Sequence, residues 1–179
     1  MEYIKVHEKY FQSYLSENSI RKRVVELGEK ITTDFQGKEL FVVGVLNGAF
    51  IFLADLCREI SIPIEISFIG ISSYEGIESK GVIERTVALN ANLKGKNVLI
   101  VEDIVDTGSS MNHLISEILS YQPAHIFTAS LLFKPDAFRF NYTLDYVGFE
   151  IPNKFVLGYG LDYNGLGRNL PSIYQLKIS

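Results

Sequence analysis

The chain has 179 residues, of which 47% are hydrophobic and 21% charged, a composition typical of a soluble globular domain. Its formal charge of −4 argues against a general nucleic-acid binder, and its single cysteine excludes an internal disulfide framework. The N-terminus has no signal-peptide core, and the longest apolar run, Leu40 to Ala54, is too short and too often interrupted to span a membrane. These features predict one cytoplasmic domain without a nucleic-acid or membrane partner.

Helical and strand patterns alternate along most of the chain. Apolar residues at helical spacing, such as Ile20 and Val24, mark amphipathic helices, and short unbroken apolar runs mark buried strands. In chain order the predicted elements are a helix at 20–31, a strand at 40–46, a helix at 49–59, strands at 62–68, 82–89 and 98–101, a helix at 111–119, and strands at 124–133, 146–149, 154–157 and 172–178. The order predicts an α/β fold with a mostly parallel central sheet flanked by helices.

The stretch 98–111, which reads VLIVEDIVDTGSSM, has the strongest functional signal. A strand predicted to end at Val101 is followed by two acids, Glu102 and Asp103. A third acid, Asp106, precedes a small hydroxyl-rich turn and a helix. Such a turn can hold a phosphate, because free backbone N–H groups and the positive end of the helix dipole face the anion.

The acids need a separate explanation, because carboxylates repel phosphate. They make sense if they face the hydroxyl groups of a sugar, a metal ion, or a proton that must be removed. In a plainer alternative, the stretch is an ordinary strand end, and Asp106 or Thr107 only caps the next helix.

Four polar segments follow predicted strands, and ligands bind beyond the carboxyl ends of strands in an open parallel sheet. We therefore expect these segments to converge. They are Leu46-Asn47-Gly48, 102–110, Lys134 and 162–168. The sequence lacks the G-x-x-x-x-G-K-[ST] loop and a complete G-x-G-x-x-G, so neither common nucleotide fingerprint applies.

The stretch 98–111 resembles the 5-phosphoribosyl 1-diphosphate (PRPP) motif of the hypoxanthine-guanine phosphoribosyltransferases, a type I phosphoribosyltransferase family. VGVLNGAFIFLADL at 43–56 resembles the family's pyrophosphate loop, and SSY at 72–74 its mobile catalytic loop. The run 145–171 is similar to its purine- and pyrophosphate-binding end. The resemblance implies a type I phosphoribosyltransferase fold in a single domain, 1–179. The core would be about 37–150, with a small hood formed by the N-terminal segment and about 151–179.

The family transfers the 5-phosphoribosyl group of PRPP to N9 of a 6-oxopurine and releases pyrophosphate. The resemblance therefore implies a Mg²⁺-dependent purine-salvage enzyme that makes IMP from hypoxanthine and GMP from guanine. It also implies a homodimer or homotetramer.

At the sugar-phosphate end, the resemblance implies that Glu102 and Asp103 hold the ribose hydroxyls, directly or through Mg²⁺. Asp106 would lie near N7 of the base as a candidate general base. The implied 5′-phosphate ligands are Asp106, Thr107, Gly108, Ser109 and Ser110. Closure of the loop at Ser73 and Tyr74 would exclude water during catalysis.

At the other end, Lys134 would donate to the 6-oxo group and Phe155 would stack on the purine. The main-chain carbonyls of Val156 and Asp162 would read position 2 of the ring. Asp162 would also ligate a Mg²⁺ that bridges the pyrophosphate. The implied pyrophosphate ligands are Leu46, Asn47, Gly48 and Arg168.

Two positions depart from the family pattern. Asn47 stands where many relatives have lysine, so one positive charge toward pyrophosphate is missing. A cis Leu46–Asn47 peptide, as in the family, would still turn its N–H toward that group. Ser109 and Ser110 stand where some relatives have Lys-Thr, which bears on phosphate affinity.

Two alternatives remain open at this point. The base could be xanthine or a pyrimidine, although Lys134 and Phe155 argue against a pyrimidine. The chain could also be a regulator that senses PRPP or a nucleotide on the same fold. The charge of −4 argues against a regulator that binds RNA.

Overall fold

Strands and helices alternate in the described residues, 3–73 and 83–177, of this computed structural model. In chain order the elements are β1 (Tyr3–Val6), β2 (Lys9–Leu15), α1 (Glu17–Asp34), β3 (Leu40–Leu46), α2 (Phe50–Glu59), β4 (Ile64–Ser73), β5 (Ile83–Val87), β6 (Asn97–Val105), α3 (Ser109–Leu119), β7 (His125–Phe133), β8 (Tyr146–Glu150), β9 (Val156–Leu157) and β10 (Ile173–Leu176). The predicted α/β class is confirmed. Within these two ranges, no helix is both long enough and apolar enough to cross a membrane.

The larger sheet has six strands in the order β5-β4-β3-β6-β7-β8, and only β5 runs antiparallel to its neighbour. Successive strand residues point to opposite faces of a sheet. Val42 and Leu99 pack against α1 and α2, whereas Val43 and Ile100 pack against α3. Burial on both faces explains the unbroken apolar runs of these strands.

Helix α1 begins where Ser16 caps it, since the Ser16 hydroxyl accepts a hydrogen bond from the Ser19 N–H (3.2 Å). Its buried residues recur at helical spacing and face α2 and the sheet. They are Ile20, Val24, Leu27, Gly28 and Ile31.

A second, antiparallel sheet has the order β1-β2-β10-β9 and joins strands from both ends of the chain. Phe11, Leu157 and Tyr174 form its buried cluster. Strands β1 and β2 were missing from the prediction, because charged residues interrupt them and β2 buries only Phe11 fully. We propose that this sheet is the hood, and the larger sheet the core, of a single domain.

Two strands extend further than predicted. Strand β6 continues through Glu102 and Asp103 to Val105, because β7 pairs with it as far as Val105↔Phe133. Strand β4 continues to Ser73, since β5 pairs with it there, so Ser73 ends a strand instead of lying in a loop. The rest of the predicted loop, with Tyr74, lies outside the described residues.

Other boundaries also differ from the prediction, and two of these differences lie beside the predicted site. Helix α3 begins at Ser109 and not at Met111. Ser109 and Ser110, the last residues of the turn at 106–110 (here called the phosphate turn), therefore form the start of the helix. The strand predicted at 154–157 consists only of Val156–Leu157. It belongs to the second sheet, whereas the strand before it belongs to the first.

Candidate active site

Two neighbouring cavities lie at the carboxyl ends of β3, β6 and β7. The larger has a volume of about 520 Å³ and is lined by Leu46, Asn47, Gly48, residues 102–111, Asp162 and Arg168, among others. The smaller, of about 190 Å³, is lined by Lys134, Phe155, Val156 and Leu161 and shares Asp103, Ile104, Asp106, Asp162 and Arg168 with the larger. The four segments that were expected to converge therefore do so.

Glu102 and Asp103 are buried at the floor of the larger cavity, with 9% and 8% of their surface exposed. Strand β3 pairs with β6 only as far as Gly44↔Val101, so the two acids follow the point where the pairing between these strands ends. The Oε2 atom of Glu102 is buried and has no hydrogen-bond partner among the described residues.

Burial raises the pKa of Glu102 well above its usual 4.5, and the negative Asp103 beside it acts in the same direction. Burial also raises the pKa of Asp103, although the hydrogen bonds from Glu102 and from the Ile104 N–H (2.9 Å) oppose that effect. Burial beside Asp103 therefore disfavours the charged form of Glu102, and a cation bound there would favour it.

The segment 46–48 packs directly on Asp103. A Cβ atom at Gly48 would overlap the Asp103 carboxylate, and one at Gly160 would overlap the Gly48 carbonyl oxygen. Only glycine permits these close approaches. The Leu46–Asn47 peptide is cis.

The phosphate turn joins β6 to α3 through Gly108, which has a φ of +86° and occupies the N-cap position. Neither Asp106 nor Thr107 is the N-cap residue, although Thr107 Oγ1 accepts a long hydrogen bond from the Ser109 N–H (3.4 Å). The turn is braced from outside, since the Arg139 N–H donates to the Thr107 carbonyl (3.1 Å) and the Tyr142 hydroxyl to the Gly108 carbonyl (3.2 Å).

An ion pair connects the phosphate turn to the smaller cavity. Lys134 Nζ lies 2.6 Å from Asp106 Oδ2, and the Lys134 side chain is buried while that of Asp106 is 45% exposed. The Lys134 N–H also donates to the Val105 carbonyl (3.0 Å), which fixes the end of β7 to the end of β6. The sequence pointed to both residues but not to their direct contact.

A second ion pair spans the wall that the two cavities share. Arg168 Nη2 lies 2.6 Å from Asp162 Oδ1, and Arg168 Nη1 donates to the Gly160 carbonyl (2.6 Å). Asp162 Oδ2 accepts a hydrogen bond from the Gly165 N–H (2.7 Å). Both residues are half-buried and are held toward the cavities.

Aromatic and apolar side chains complete the smaller cavity. Phe155 is 44% exposed and lines it, whereas Val156 beside it is buried. Ile104 and Leu161 line it as well, and sequence reasoning missed them because apolar side chains give no signal of a site.

The described residues contain no cluster of three or more Asp, Glu, His or Cys side chains that could hold a metal ion. The adjacent Glu102 and Asp103 still fit Mg²⁺, which prefers oxygen ligands and is often held by one or two carboxylates together with substrate phosphates. The Oε2 atom of Glu102, which has no hydrogen-bond partner among the described residues, is available as such a ligand. Asp162 already pairs with Arg168 through Oδ1 and accepts from the Gly165 N–H through Oδ2.

The cavities define a class of protein that binds a phosphorylated sugar beside a flat ring. A phosphate turn at a helix N-terminus meets buried acids at one end, and a lysine and an exposed aromatic ring lie at the other. The chain belongs to the phosphoribosyltransferase family, since the model of the phosphoribosyl transferase domain matches residues 12–164.

Similar proteins narrow this class to the branch suggested by the sequence. The chain is 39% identical over 174 residues to a hypoxanthine-guanine phosphoribosyltransferase of Aquifex aeolicus (strain VF5), covering 96% of this chain and 98% of the relative. It is 42% identical over 168 residues to a hypoxanthine phosphoribosyltransferase of Haemophilus influenzae (strain KW20), covering 92% and 94%. The crystal structure of a hypoxanthine-guanine phosphoribosyltransferase of Bacillus anthracis matches with a TM-score of 0.87 and 38% identity, covering 93% and 98%. The predicted family and fold are confirmed.

Proposed function

We propose that the protein transfers the 5-phosphoribosyl group of PRPP to N9 of hypoxanthine, and also of guanine, forming IMP or GMP and pyrophosphate. One observation supports this above all: the larger cavity, which contains the phosphate turn, and the smaller cavity have residues in common. They share Asp103, Asp106, Asp162 and Arg168. A ribose that bridges a phosphate and a purine would lie along this shared wall.

The smaller cavity binds the purine base. Lys134 donates to the 6-oxo group of the purine, which discriminates against the 6-amino group of adenine. An ammonium group has three N–H donors, so Lys134 can keep Asp106 as a partner while it binds the base. Phe155 stacks on the ring, and the carbonyls of Val156 and Asp162 read position 2.

Chemistry takes place where the cavities meet. The bond from C1′ to the pyrophosphate oxygen breaks and the bond from C1′ to N9 forms. The Asp106 carboxylate, acting as the general base, accepts the proton that N7 of the base loses. Arg168 and the 46–48 loop bind the departing pyrophosphate. Ser73 and Tyr74 are proposed to close over the site and exclude water.

The sugar-phosphate end combines a cradle with a metal site. Residues 106–110 hold the 5′-phosphate, and Glu102 and Asp103 hold the ribose hydroxyls, directly or through Mg²⁺. When bound, Mg²⁺ neutralises charge on the pyrophosphate. Glu102 and Asp103 would hold the cation, and its charge would offset the cost of burying two carboxylates side by side.

We also propose a homodimer or homotetramer in the cytoplasm. Exposed apolar side chains on β4 and at the start of α2 support the oligomer, namely Phe50, Ile66 and Phe68. Burial raises the pKa of the Cys57 thiol to about 11, which lowers the fraction of reactive thiolate. Sedimentation velocity measures the oligomeric state.

A spectrophotometric assay with PRPP and Mg²⁺ tests the function with hypoxanthine, guanine, xanthine and adenine in turn. We expect turnover of hypoxanthine and guanine, none of adenine, and loss of activity with a chelator. Turnover of xanthine would widen the base specificity. No turnover of any base would contradict the proposal and favour the nucleotide-sensing regulator.

A further inference from the structure

The ring proposed to stack on the base is supported from behind by two other rings. The Phe155 centroid lies 6.2 Å from that of Phe11 and 5.7 Å from that of Tyr163, with Tyr163 edge-on at 80°. Phe11 and Tyr163 are themselves 6.0 Å apart. Tilted and edge-to-face ring pairs at such distances are attractive. These three residues are here called the aromatic triangle. Of the three, only Phe155 lines either of the two cavities described above.

The Phe11 side of the triangle is fixed by the second sheet. Phe11 is fully buried and lies on β2, between Ile4 of β1 and Leu176 of β10. Hydrogen-bonded strands on both sides fix the backbone of Phe11, so its ring supports Phe155 from a fixed position.

The Tyr163 side of the triangle is held by the turn between β1 and β2. The Tyr163 hydroxyl donates to Glu8 Oε1, and Lys9 Nζ lies 4.6 Å from the Tyr163 ring centroid. The His7 ring meets Tyr163 edge-on at 5.7 Å. The hydrogen bond from Tyr163 lowers the pKa of Glu8 below its usual 4.5, so Glu8 is ionised at neutral pH and accepts a charge-assisted bond.

We propose that Phe11, Glu8 and Tyr163 are positioning residues that set the orientation of Phe155 and thereby the affinity for the purine base. This inference rests on the proposed function, which makes Phe155 the stacking ring. The hairpin contacts Phe155 through Phe11 and Tyr163, so its loss is expected to change base affinity most. The 5′-phosphate and the ribose are bound by residues 102–110, which lie at the carboxyl end of β6 and outside the triangle.

The test uses variants that remove the ring or only the hydrogen bond. Tyr163→Leu is expected to raise KM for hypoxanthine about 3- to 10-fold, the range that lost aromatic pairs give, with kcat and KM for PRPP unchanged within about 2-fold. Tyr163→Phe and Glu8→Ala should each raise KM by only about 2- to 3-fold. Tyr163→Phe and Glu8→Ala remove the same hydrogen bond, so the double variant should raise KM for hypoxanthine no more than either single variant.

A matched control lies on the same hairpin. Tyr10 precedes Phe11 but is 55% exposed, so Tyr10→Leu makes the same chemical change outside the triangle. It should leave all three kinetic constants unchanged. Calorimetric titration with IMP is run beside the assay, because it reports ring stacking without turnover. Tyr163→Leu should weaken IMP binding by the factor seen in KM and leave pyrophosphate binding unchanged.

An unchanged KM for hypoxanthine and an unchanged affinity for IMP in Tyr163→Leu would overturn the inference. A fall in kcat together with a rise in both KM values, or an equal effect of Tyr10→Leu, would also overturn it, because either indicates general loosening of the second sheet. If the unaltered protein turns over no purine, the proposed function fails, and the IMP titration alone then decides the positioning role.

Discussion

The phosphate end and the base end of the site are held in different ways. The phosphate end consists of loops that continue directly from core strands, 46–48 from β3 and 106–110 from β6, with glycines at the closest approaches. The base end depends on the Phe155 side chain, which precedes a two-residue strand and is supported by the second sheet. On the proposed function, loop backbone that core strands fix in place positions the 5′-phosphate, whereas stacking on the base depends on side chains that can change separately.

Asp106 belongs to both ends, so its substitution should have the largest effect. Asp106→Asn is expected to lower kcat/KM by about 10²- to 10⁴-fold, because the amide cannot accept a proton and Lys134 loses its partner. Steady-state kinetics measures the loss. The exposed Asp136→Asn serves as the control, and full activity of Asp106→Asn would remove the general-base assignment.

Lys134→Ala tests the base end. The kcat/KM for hypoxanthine should fall about 10- to 100-fold, since a hydrogen bond from a charged donor to the 6-oxo group is lost, while KM for PRPP stays constant. Assays in which each substrate is varied separately give both values. Equal rates with adenine and hypoxanthine in the unaltered protein would contradict the assigned role of Lys134.

Gly48→Ala tests the phosphate end. The added methyl group overlaps the Asp103 carboxylate and should raise KM for PRPP by about 10-fold, with hypoxanthine affinity unaffected. Gly95→Asn is a fair control, because a Cβ there meets no other atom and asparagine tolerates its φ of +72°. An equal rise in KM for PRPP and in KM for hypoxanthine would contradict the separation of the two ends.

Glu102→Gln should have the smallest effect, a rise in Tm of about 2–4 °C together with weaker PRPP binding. Because the pKa of Glu102 is raised in the folded protein, its carboxyl lowers stability as pH rises above its usual 4.5, and below that value it has no effect. The Tm difference between variant and parent should therefore widen from pH 4.5 toward pH 7 in thermal unfolding scans. A constant difference would mean that Glu102 ionises freely in the folded protein.

Most of the core, and the segments that line the two cavities, could be predicted from the sequence. Buried parallel strands and a phosphate turn that contains glycine leave clear local patterns. Sequence reasoning missed features that depend on distant partners. Strand β6 reaches Val105 only because β7 extends beside it, and Lys134 meets Asp106 only after the sheet has formed. The β1–β2 hairpin was missed because its buried face is too small to produce a clear alternation.

The wall shared by the two cavities suggests a route to inhibitors. Asp103, Asp106, Asp162 and Arg168 line both cavities, so one compound with a phosphonate at one end and a 6-oxopurine at the other could occupy both at once. Once one end is bound, a short linker gives the other a high effective concentration. Substituents on the ring that press against Phe155 would contact the part of the site that Phe11 of the β1–β2 hairpin supports.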